Sequence, residues 1–402
     1  MLTTKMFIGK FMCKKIVFVA HEFGLFPGHG GIASYLYNIC KYLLENTDHK
    51  VFVMAEMFDK DSNLHKNQKF TFFPIPHGDL TSKRQAIFNR MNIITPDYIE
   101  FADYLGLGLH CMLEKARKTS FHNTLLITNH HTATKECFEW STNKDILFAP
   151  ISTQRVYQDE KTQMELSDYN FSPSTFLSEY VYKEYNLSKK PLFFANPFYS
   201  KLETCYALKD KYKSEVDFSF YENCFNIVLI TRFEGRKRHD RLVNAFIKLL
   251  EQNIDCNLFL IGNSVKDPLT NKDYRYELYK SIDQKYLKNI LFYDFMSLKQ
   301  QEKVLAIADL TVMPSTYENQ PMAMIESVLR GIPVIASKYS GCKDYSPMCM
   351  LFDPFKENDL FITIKNFIYL SLTERNKIIE TQNKLLNKII SPETCILPRF
   401  LL

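Results

Sequence analysis

The sequence predicts an α/β protein built from two doubly wound domains with parallel sheets. Three observations support this. Short apolar runs alternate with longer segments whose apolar residues recur at helical spacing, the pattern of parallel strands covered by helices. The chain has 402 residues, 46% of them hydrophobic, which is long for one core and comfortable for two domains of ordinary size. The alternation is sharpest over residues 308–336: the apolar run 308–313, with Asp309 at its second position, reads as a buried strand, and residues 332–336 (IPVIA) begin another. Between them, Pro321 suits the first position of a helix, where its missing N–H costs nothing. Gly331 would end that helix just after Arg330.

Taken in order, residues 15–20 (KIVFVA) form the first strand, and a loop containing Gly28, Gly30 and Gly31 comes next. Ile32, Leu36, Ile39 and Leu43 recur at helical spacing, so residues 32–45 form the first helix. Residues 50–55 and 70–75 read as the next strands, and 125–128 and 147–149 as further short ones. Residues 79–123 give mixed signals and accommodate two helices. Asn196-Pro197 marks the crossover between domains, and residues 199–224, charged and aromatic, read as a linker plus a short helix. The second domain opens with the strand 226–231, then a helix over 241–251 and strands over 256–261 and 289–293. Residues 360–390 are helical in pattern, and Pro392 and Pro398 interrupt the residues beyond. The expected limits are a first domain of 1–198 and a second of 199–380, with the tail 381–402 free to return to the first.

The chemistry concentrates in the run Pro314-Ser315-Thr316-Tyr317-Glu318-Asn319-Gln320-Pro321-Met322-Ala323-Met324-Ile325-Glu326. Glu318 lies in the loop leaving a strand and Glu326 about a turn and a half into the next helix. Open α/β sheets bind ligands outside the carboxyl ends of their strands. The amides of Asn319, Gln320, Met322 and Ala323 would point out of the helix N-terminus, where an anion or a sugar oxygen is favoured. Donors and acceptors therefore occur together, as a nucleotide-sugar requires. A second cluster lies after the strand 226–231. Arg232, Arg236, Lys237, Arg238 and Arg241 crowd the start of a helix, and Glu234 and Asp240 offset only part of that charge. Cations at a positive helix end are unfavourable unless an anion binds there, and a diphosphate fits. Arg232 and Lys237 are expected to meet it, and Arg236 and Arg238 to face solvent. Gly30 and Gly31, between the first strand and first helix, would let the backbone approach a phosphate or sugar.

The Glu318-to-Glu326 run resembles the Glu-x7-Glu signature of retaining GT-B glycosyltransferases of the glycosyltransferase family 4, glycogen-synthase-like, group 1 type. Pro314-Ser315 before it and Gly331-Ile-Pro-Val-Ile-Ala336 after it match the same pattern. Arg232 and Lys237 match the family's Gly-Arg…Lys element, with Thr231 where Gly is usual. The resemblance implies two Rossmann-like domains facing across a cleft and transfer of a hexosyl group from a nucleoside-diphosphate sugar to an acceptor hydroxyl with retention. It implies catalytic roles for Arg232, Lys237, Glu318 and His131. Donor contacts are implied from Gly30, Gly31, Asn319, Gln320, Pro321, Met322 and Glu326, the last to the ribose. It also implies no cofactor, no metal and a carbohydrate or lipid-linked acceptor, as in surface polysaccharide or glycolipid assembly. His131 stands at a strand end where the family places a His near the transferred sugar, and residues 96–101, with Gly106 and Gly108, resemble an element bordering the acceptor cleft. Residues 289–295 resemble the strand and turn that hold the nucleobase, with Asp294 where the family has Gly and Phe292, Tyr293 and Phe295 as flanking aromatics. Other GT-B activities, phosphorylase or epimerase, and a non-catalytic binding protein are the alternatives.

Composition excludes other classes. A net charge of +5 is small for this length and no basic stripe with interleaved aromatics suggests nucleic acid. The 10 cysteines are scattered without zinc spacing, which suits a reducing compartment. Lysines interrupt the apolar residues of 1–13, so no secretory signal is expected there, and no stretch reaches transmembrane length. A cytoplasmic location is expected, with room for peripheral contact at the inner face of a membrane. The Gly28-x-Gly30-Gly31 loop is not a dinucleotide fingerprint, so a nicotinamide cofactor is not expected.

Overall fold

The computed structural model describes residues 13–25, 30–59, 62–199 and 201–402. Two parallel sheets form its two halves. The first runs in the order Phe70–Pro74, Lys50–Ala55, Lys15–Val19, Tyr98–Ala102, Leu125–Asn129, Tyr169–Ser172, Leu192–Phe193. The second runs Ile290–Tyr293, Cys256–Ile261, Phe225–Ile230, Leu310–Met313, Val334–Ser337, Leu351–Phe352. All neighbouring strands in both are parallel. The inner strands are mostly apolar because helices cover both faces: Cys256–Ile261, Leu310–Met313 and Val334–Ser337 are buried at every residue, the polar Asn257, Thr311 and Ser337 included.

Most expected elements form within one or two residues of their expected ends. The first helix is Gly31–Asn46, the helix after Arg238 is His239–Glu251, and the mixed region 79–123 holds helices Leu80–Ile94 and Leu109–Ala116 with the strand Tyr98–Ala102 between them. Residues 147–149 are a correction. Ile146–Phe148 is one turn of 3₁₀ helix capped by Asp145, with Leu147 and Phe148 exposed. Three apolar residues suggested a buried strand, but the Asp145 carboxylate takes the Leu147 N–H and closes a turn instead. The helical stretch near the end divides into Asp359–Ile368 and Leu372–Ile390, the second opened by a capping box of Ser371 and Glu374.

The tail crosses back to the first sheet. After Leu372–Ile390 the short turns Pro392–Cys395 and Leu397–Phe400 bring Arg399 into the first domain's interior, where it is fully buried. Its guanidinium donates to Tyr35 Oη at 2.6 Å and the Phe194 carbonyl at 3.1 Å, and meets Glu100 at 3.3 Å. Glu100 lies in the strand Tyr98–Ala102 and also accepts from Tyr35, from Tyr98 at 2.7 Å and from Asn129 at 2.9 Å. Glu100 is therefore the counter-ion of the returning tail, buried in the sheet rather than a strand-end group facing the cleft. Among the described residues no helix is long and apolar enough to cross a membrane.

Removing one partner of a buried pair leaves an uncompensated charge. Arg399→Met should therefore cost about 3–5 kcal/mol of stability. Denaturant unfolding of wild type and Arg399→Met tests this, and a difference below about 1 kcal/mol would show that the tail is not anchored by this pair.

Candidate active site

The carboxyl ends of the two sheets carry the loops that meet between the domains. In the second domain the strand Leu310–Met313 leads into Pro314 to Pro321, and the helix is Met322–Leu329. Pro321 is the capping residue in extended conformation, one position earlier than expected, and Gly331 follows the helix with φ of 79°. The sequence folds this way because Pro321 has no N–H to place inside a helix and Gly331 accepts the left-handed turn that ends it. Among the described residues the N–H groups of Gln320, Met322 and Ala323 have no protein acceptor, and no acidic residue stands in the first turn of this helix. The positive end of the helix is left uncompensated.

Glu318 is buried beneath this end. One of its oxygens, Oε2, receives Lys237 Nζ, lies 3.6 Å from the Arg236 guanidinium and accepts from Ser315 Oγ at 3.4 Å. Among the described residues the other, Oε1, meets only the Asn319 N–H, at 3.3 Å. Burial alone would raise its pKa, but Lys237 and then Arg236 outweigh burial and hold the carboxyl below its ordinary value. The expected assignment of Arg236 to solvent is corrected. Its side chain is 10% exposed and bridges Glu318 and Glu234, the latter at 2.8 Å. Arg238 takes a left-handed backbone and pairs with Asp240 at 2.8 Å at the half-exposed start of the helix His239–Glu251. Arg241 donates to the Pro314 carbonyl at 2.7 Å and to Thr316 Oγ1 at 3.1 Å, so it braces the loop that carries Glu318. Arg232 remains exposed, 3.8 Å from Glu234. Burial of Arg236 and Lys237 between the exposed Arg232 and the half-exposed Arg238 decides these roles, and composition alone does not reveal it.

Glu326 differs from Glu318. Among the described residues its carboxylate has no hydrogen-bond or ion-pair partner, and burial pushes its pKa up to about 7, with Arg330 opposing.

The first domain supplies the opposite wall. Gly31 opens its helix facing the other helix end: a Cβ there would stand 4.0 Å from Met322 Cγ. Gly30 does not offer its amide to the cleft, because the N–H donates to both oxygens of Glu22 at 3.0 Å. Gly28 lies outside the described residues. His131 is 6% exposed, with its ring 5.1 Å from that of Tyr35 and its N–H on Asp103. Burial pushes its pKa down to about 4, so its imidazole is neutral at physiological pH.

Several contacts that sequence reasoning missed join the walls. Asn319 Nδ2 donates to Thr132 Oγ1 at 2.8 Å, and the Asn196 N–H donates to Gln320 Oε1 at 2.6 Å. Tyr317 stacks on Phe176 of the first domain at 6.0 Å between rings and packs at a tilt against its Trp140 at 5.2 Å. The turn Gly235–Lys237 packs under the helix Thr134–Thr142 so closely that a Cβ on Gly235 would lie 2.4 Å from the Ser141 carbonyl oxygen. The structure thus gathers Glu318, Lys237, Asn319, Gln320, Pro321, Met322, Gly31 and His131 around the interdomain junction, with Glu326 in the helix behind the loop and Arg232 at the rim. At the expected nucleobase strand, Phe292 is committed to stacking on Phe233 at 6.0 Å, Phe295 is exposed, and Asp294 pairs with Arg275 at 2.5 Å. Among the described residues no group of three metal-ligating side chains occurs.

Comparison with known proteins agrees with this layout. The sucrose-phosphate synthase of Thermosynechococcus elongatus superposes with a TM-score of 0.73 at 15% identity, covering 96% of this chain and 98% of that one. Anabaena HepE in complex with UDP-glucose superposes with a TM-score of 0.64 at 16% identity, covering 95% and 97%. The fold is GT-B. Residues 211–348 match the family model described as glycosyl transferases group 1, which contains both Lys237 and Glu318. Two curated relatives align over shorter stretches. A protein described as an uncharacterized 41.2 kDa protein in the cps region of Klebsiella pneumoniae is 28% identical over 112 residues, 28% of this chain and 27% of its own. A glycogen synthase of Clostridium botulinum (strain Alaska E43 / Type E3) is 26% identical over 188 residues, 46% of this chain and 37% of its own. The chain thus spans roughly a third of the curated relatives it matches.

The unpartnered carboxylate yields a test with a definite sign. A glutamate whose pKa is raised in the folded protein costs stability as pH rises from its unfolded value, near 4.5, through about 7. Glu326→Gln removes that titration. At pH 8 the variant should be more stable than wild type by up to about 3 kcal/mol, and at pH 4 the two should differ little. Denaturant unfolding at the two pH values measures it, and equal stabilities at pH 8 would show that Glu326 is solvated.

Proposed function

We propose that this protein is a retaining hexosyltransferase of the family 4 type. It transfers a sugar from a nucleoside-diphosphate sugar to a hydroxyl of a carbohydrate or lipid-linked acceptor. The observation that carries this reading is Glu318 held as a carboxylate by buried cations at an uncompensated helix end, with the first domain's Gly31 and neutral His131 opposite. Anionic and hydroxylated portions of one ligand would find their complements within that loop. HepE, of the same fold, is described with UDP-glucose bound, which supports a nucleotide-sugar as donor.

In this reading Arg232 and Lys237 stabilise the diphosphate as its bond to the anomeric carbon breaks, with no metal ion required. Glu318 and the amides from Asn319 to Met322 hold the sugar and diphosphate, Glu326 accepts from the ribose hydroxyls, and neutral His131 hydrogen-bonds the transferred sugar. The acceptor oxygen attacks from the face the diphosphate leaves, the leaving phosphate takes the acceptor proton, and configuration is retained. Surface polysaccharide or glycolipid assembly is the setting we infer, supported by the cps-region relative, with the enzyme in the cytoplasm and in peripheral contact with a membrane.

A panel of nucleotide-sugars in a thermal-shift assay identifies the donor: a ligand at about 100 times its Kd should add about 2.7 kcal/mol to stability. With that donor, Arg232→Ala and Lys237→Ala should each lower turnover tens to hundreds of fold, or about 2–4 kcal/mol. Lys237→Ala should also lower the melting temperature, because Lys237 is buried, whereas Arg232→Ala should not. Arg238→Ala should retain near-normal turnover, since its partner is Asp240. NMR of the first-formed product should show an α linkage from an α donor. Stabilisation by no member of the panel, or a β product from an α donor, would overturn this reading.

A further inference from the structure

Glu318 is held asymmetrically. Lys237 Nζ, the Arg236 guanidinium and Ser315 Oγ all approach Oε2, and among the described residues only the Asn319 amide reaches Oε1. We propose that Arg236 is a positioning residue for Glu318: it helps fix Oε2 so that Oε1, beside the Asn319 amide, is presented to the transferred sugar. This rests on reading Glu318 as a contact of that sugar.

Geometry supports the assignment. Arg236 is nine-tenths buried, and its NH1, the atom 3.6 Å from Glu318, makes no hydrogen bond elsewhere. Its NH2 is engaged by Glu234 at 2.8 Å, so the guanidinium spans two carboxylates. A planar fork can do this, whereas a lysine ammonium meets them as a single point charge. The turn that carries it cannot drift, because Gly235 lies against the Ser141 carbonyl of the first domain. Arg236 is thus placed by the domain junction and in turn places the carboxylate.

The other groups around Glu318 leave this job to the cations. Cys342 and Tyr345 face it from the turn Gly341–Asp344 and the residue after it, and burial pushes both thiol and hydroxyl up, so both are neutral. Cys137, on the first domain's helix Thr134–Thr142, is close to Arg236 and Glu234, and burial keeps it a neutral thiol as well. Asp344, at the end of the turn Gly341–Asp344, is held by Thr175, and Glu234 lies on the far side of Arg236, which separates it from Glu318. Without Arg236, two buried carboxylates would share Lys237.

The test begins with the ligand-free full chain, so it does not depend on knowing the donor. Carboxyl-carbon NMR of glutamate-labelled protein, with the Glu318 resonance assigned through Glu318→Gln, follows its titration. In wild type it should titrate below the ordinary glutamate range. Arg236→Gln should raise it by about one pH unit or more, and Arg236→Lys should recover part of the difference. A crystal structure of Arg236→Gln should show the carboxylate rotated, with Oε1 no longer beside the Asn319 amide. With the donor found in the panel, turnover should fall about tenfold in Arg236→Gln and recover partly in Arg236→Lys, while inhibition by the bare nucleoside diphosphate stays within about threefold. An unchanged titration and an unrotated carboxylate in Arg236→Gln would overturn the proposal. Loss of diphosphate inhibition equal to the loss of turnover would overturn it in favour of a phosphate clamp. Full turnover in Glu318→Gln would instead overturn the reading of Glu318 as a sugar contact, and the titration would still report whether Arg236 holds the carboxylate.

Discussion

Glu318 carries its charge where burial opposes it, and the cleft is organised around the cations that keep it ionised. A lone buried carboxylate would take up a proton. Here Lys237 contacts it directly and Arg236 stands 3.6 Å away, and its pKa falls below the ordinary value. Such pairs contribute little net stability, because desolvating the ions offsets their attraction. What they add is geometry. The loop from Pro314 to Pro321 is braced at its root by Arg241 and at Glu318 by the cation pair, so the helix beginning at Met322 starts at a fixed point. The transfer proposed for this site would need that rigidity more than a few tenths of a kcal/mol.

The first domain completes the same constraint from the other side. Thr132 holds Asn319, Asn196 holds Gln320, and the rings of Trp140 and Phe176 enclose Tyr317, the residue next to Glu318. The loop belongs to the second sheet in sequence but is enclosed by both domains. The tail extends that connection. Arg399 bonds Tyr35, whose ring packs against His131, and Tyr35 lies one turn into the helix that Gly31 opens. A segment from the end of the chain therefore supports two elements of the opposite cleft wall, through a buried charge matched to Glu100.

Much of this architecture was legible in the sequence because parallel sheets declare themselves. Strands covered on both faces are mostly apolar, and Gly331 and Pro321 bracket the helix between two of them for reasons of backbone chemistry. The placement of Glu318 relative to Lys237 followed from their positions after two strands that prove to be adjacent, Phe225–Ile230 and Leu310–Met313. Burial on the scale of single residues was less legible. Arg236 and Arg238 read alike in a basic run, yet the 3₁₀ turn Gly235–Lys237 directs one inward, and the left-handed residue after it leaves the other half exposed. Residues 147–149 looked like a strand because three apolar residues carry no period, and a single Asp145 side-chain bond decided the matter. Contacts between domains, such as Tyr317 with Trp140, have no sequence signal at all, since the partners are distant along the chain and each is an ordinary aromatic.

Glu318 and Glu326 follow opposite strategies within one helix and loop. The first is buried with its partners built in and remains ionised. The second is half-buried without any, and desolvation raises its pKa to about 7. A protein selected only for stability would fill the second position with an uncharged side chain, since an unpaired, half-buried carboxylate costs free energy at every pH where it is ionised. Local violations of folding economy are expected where a ligand supplies the missing interaction. The unpaired group lies in the helix whose N–H groups are also unpaired, and the nucleotide-sugar we propose as donor would bring hydroxyls for the one and oxygens for the other. The built-in pair keeps the site assembled before the ligand arrives. The unpaired groups leave free energy to be gained only when it binds.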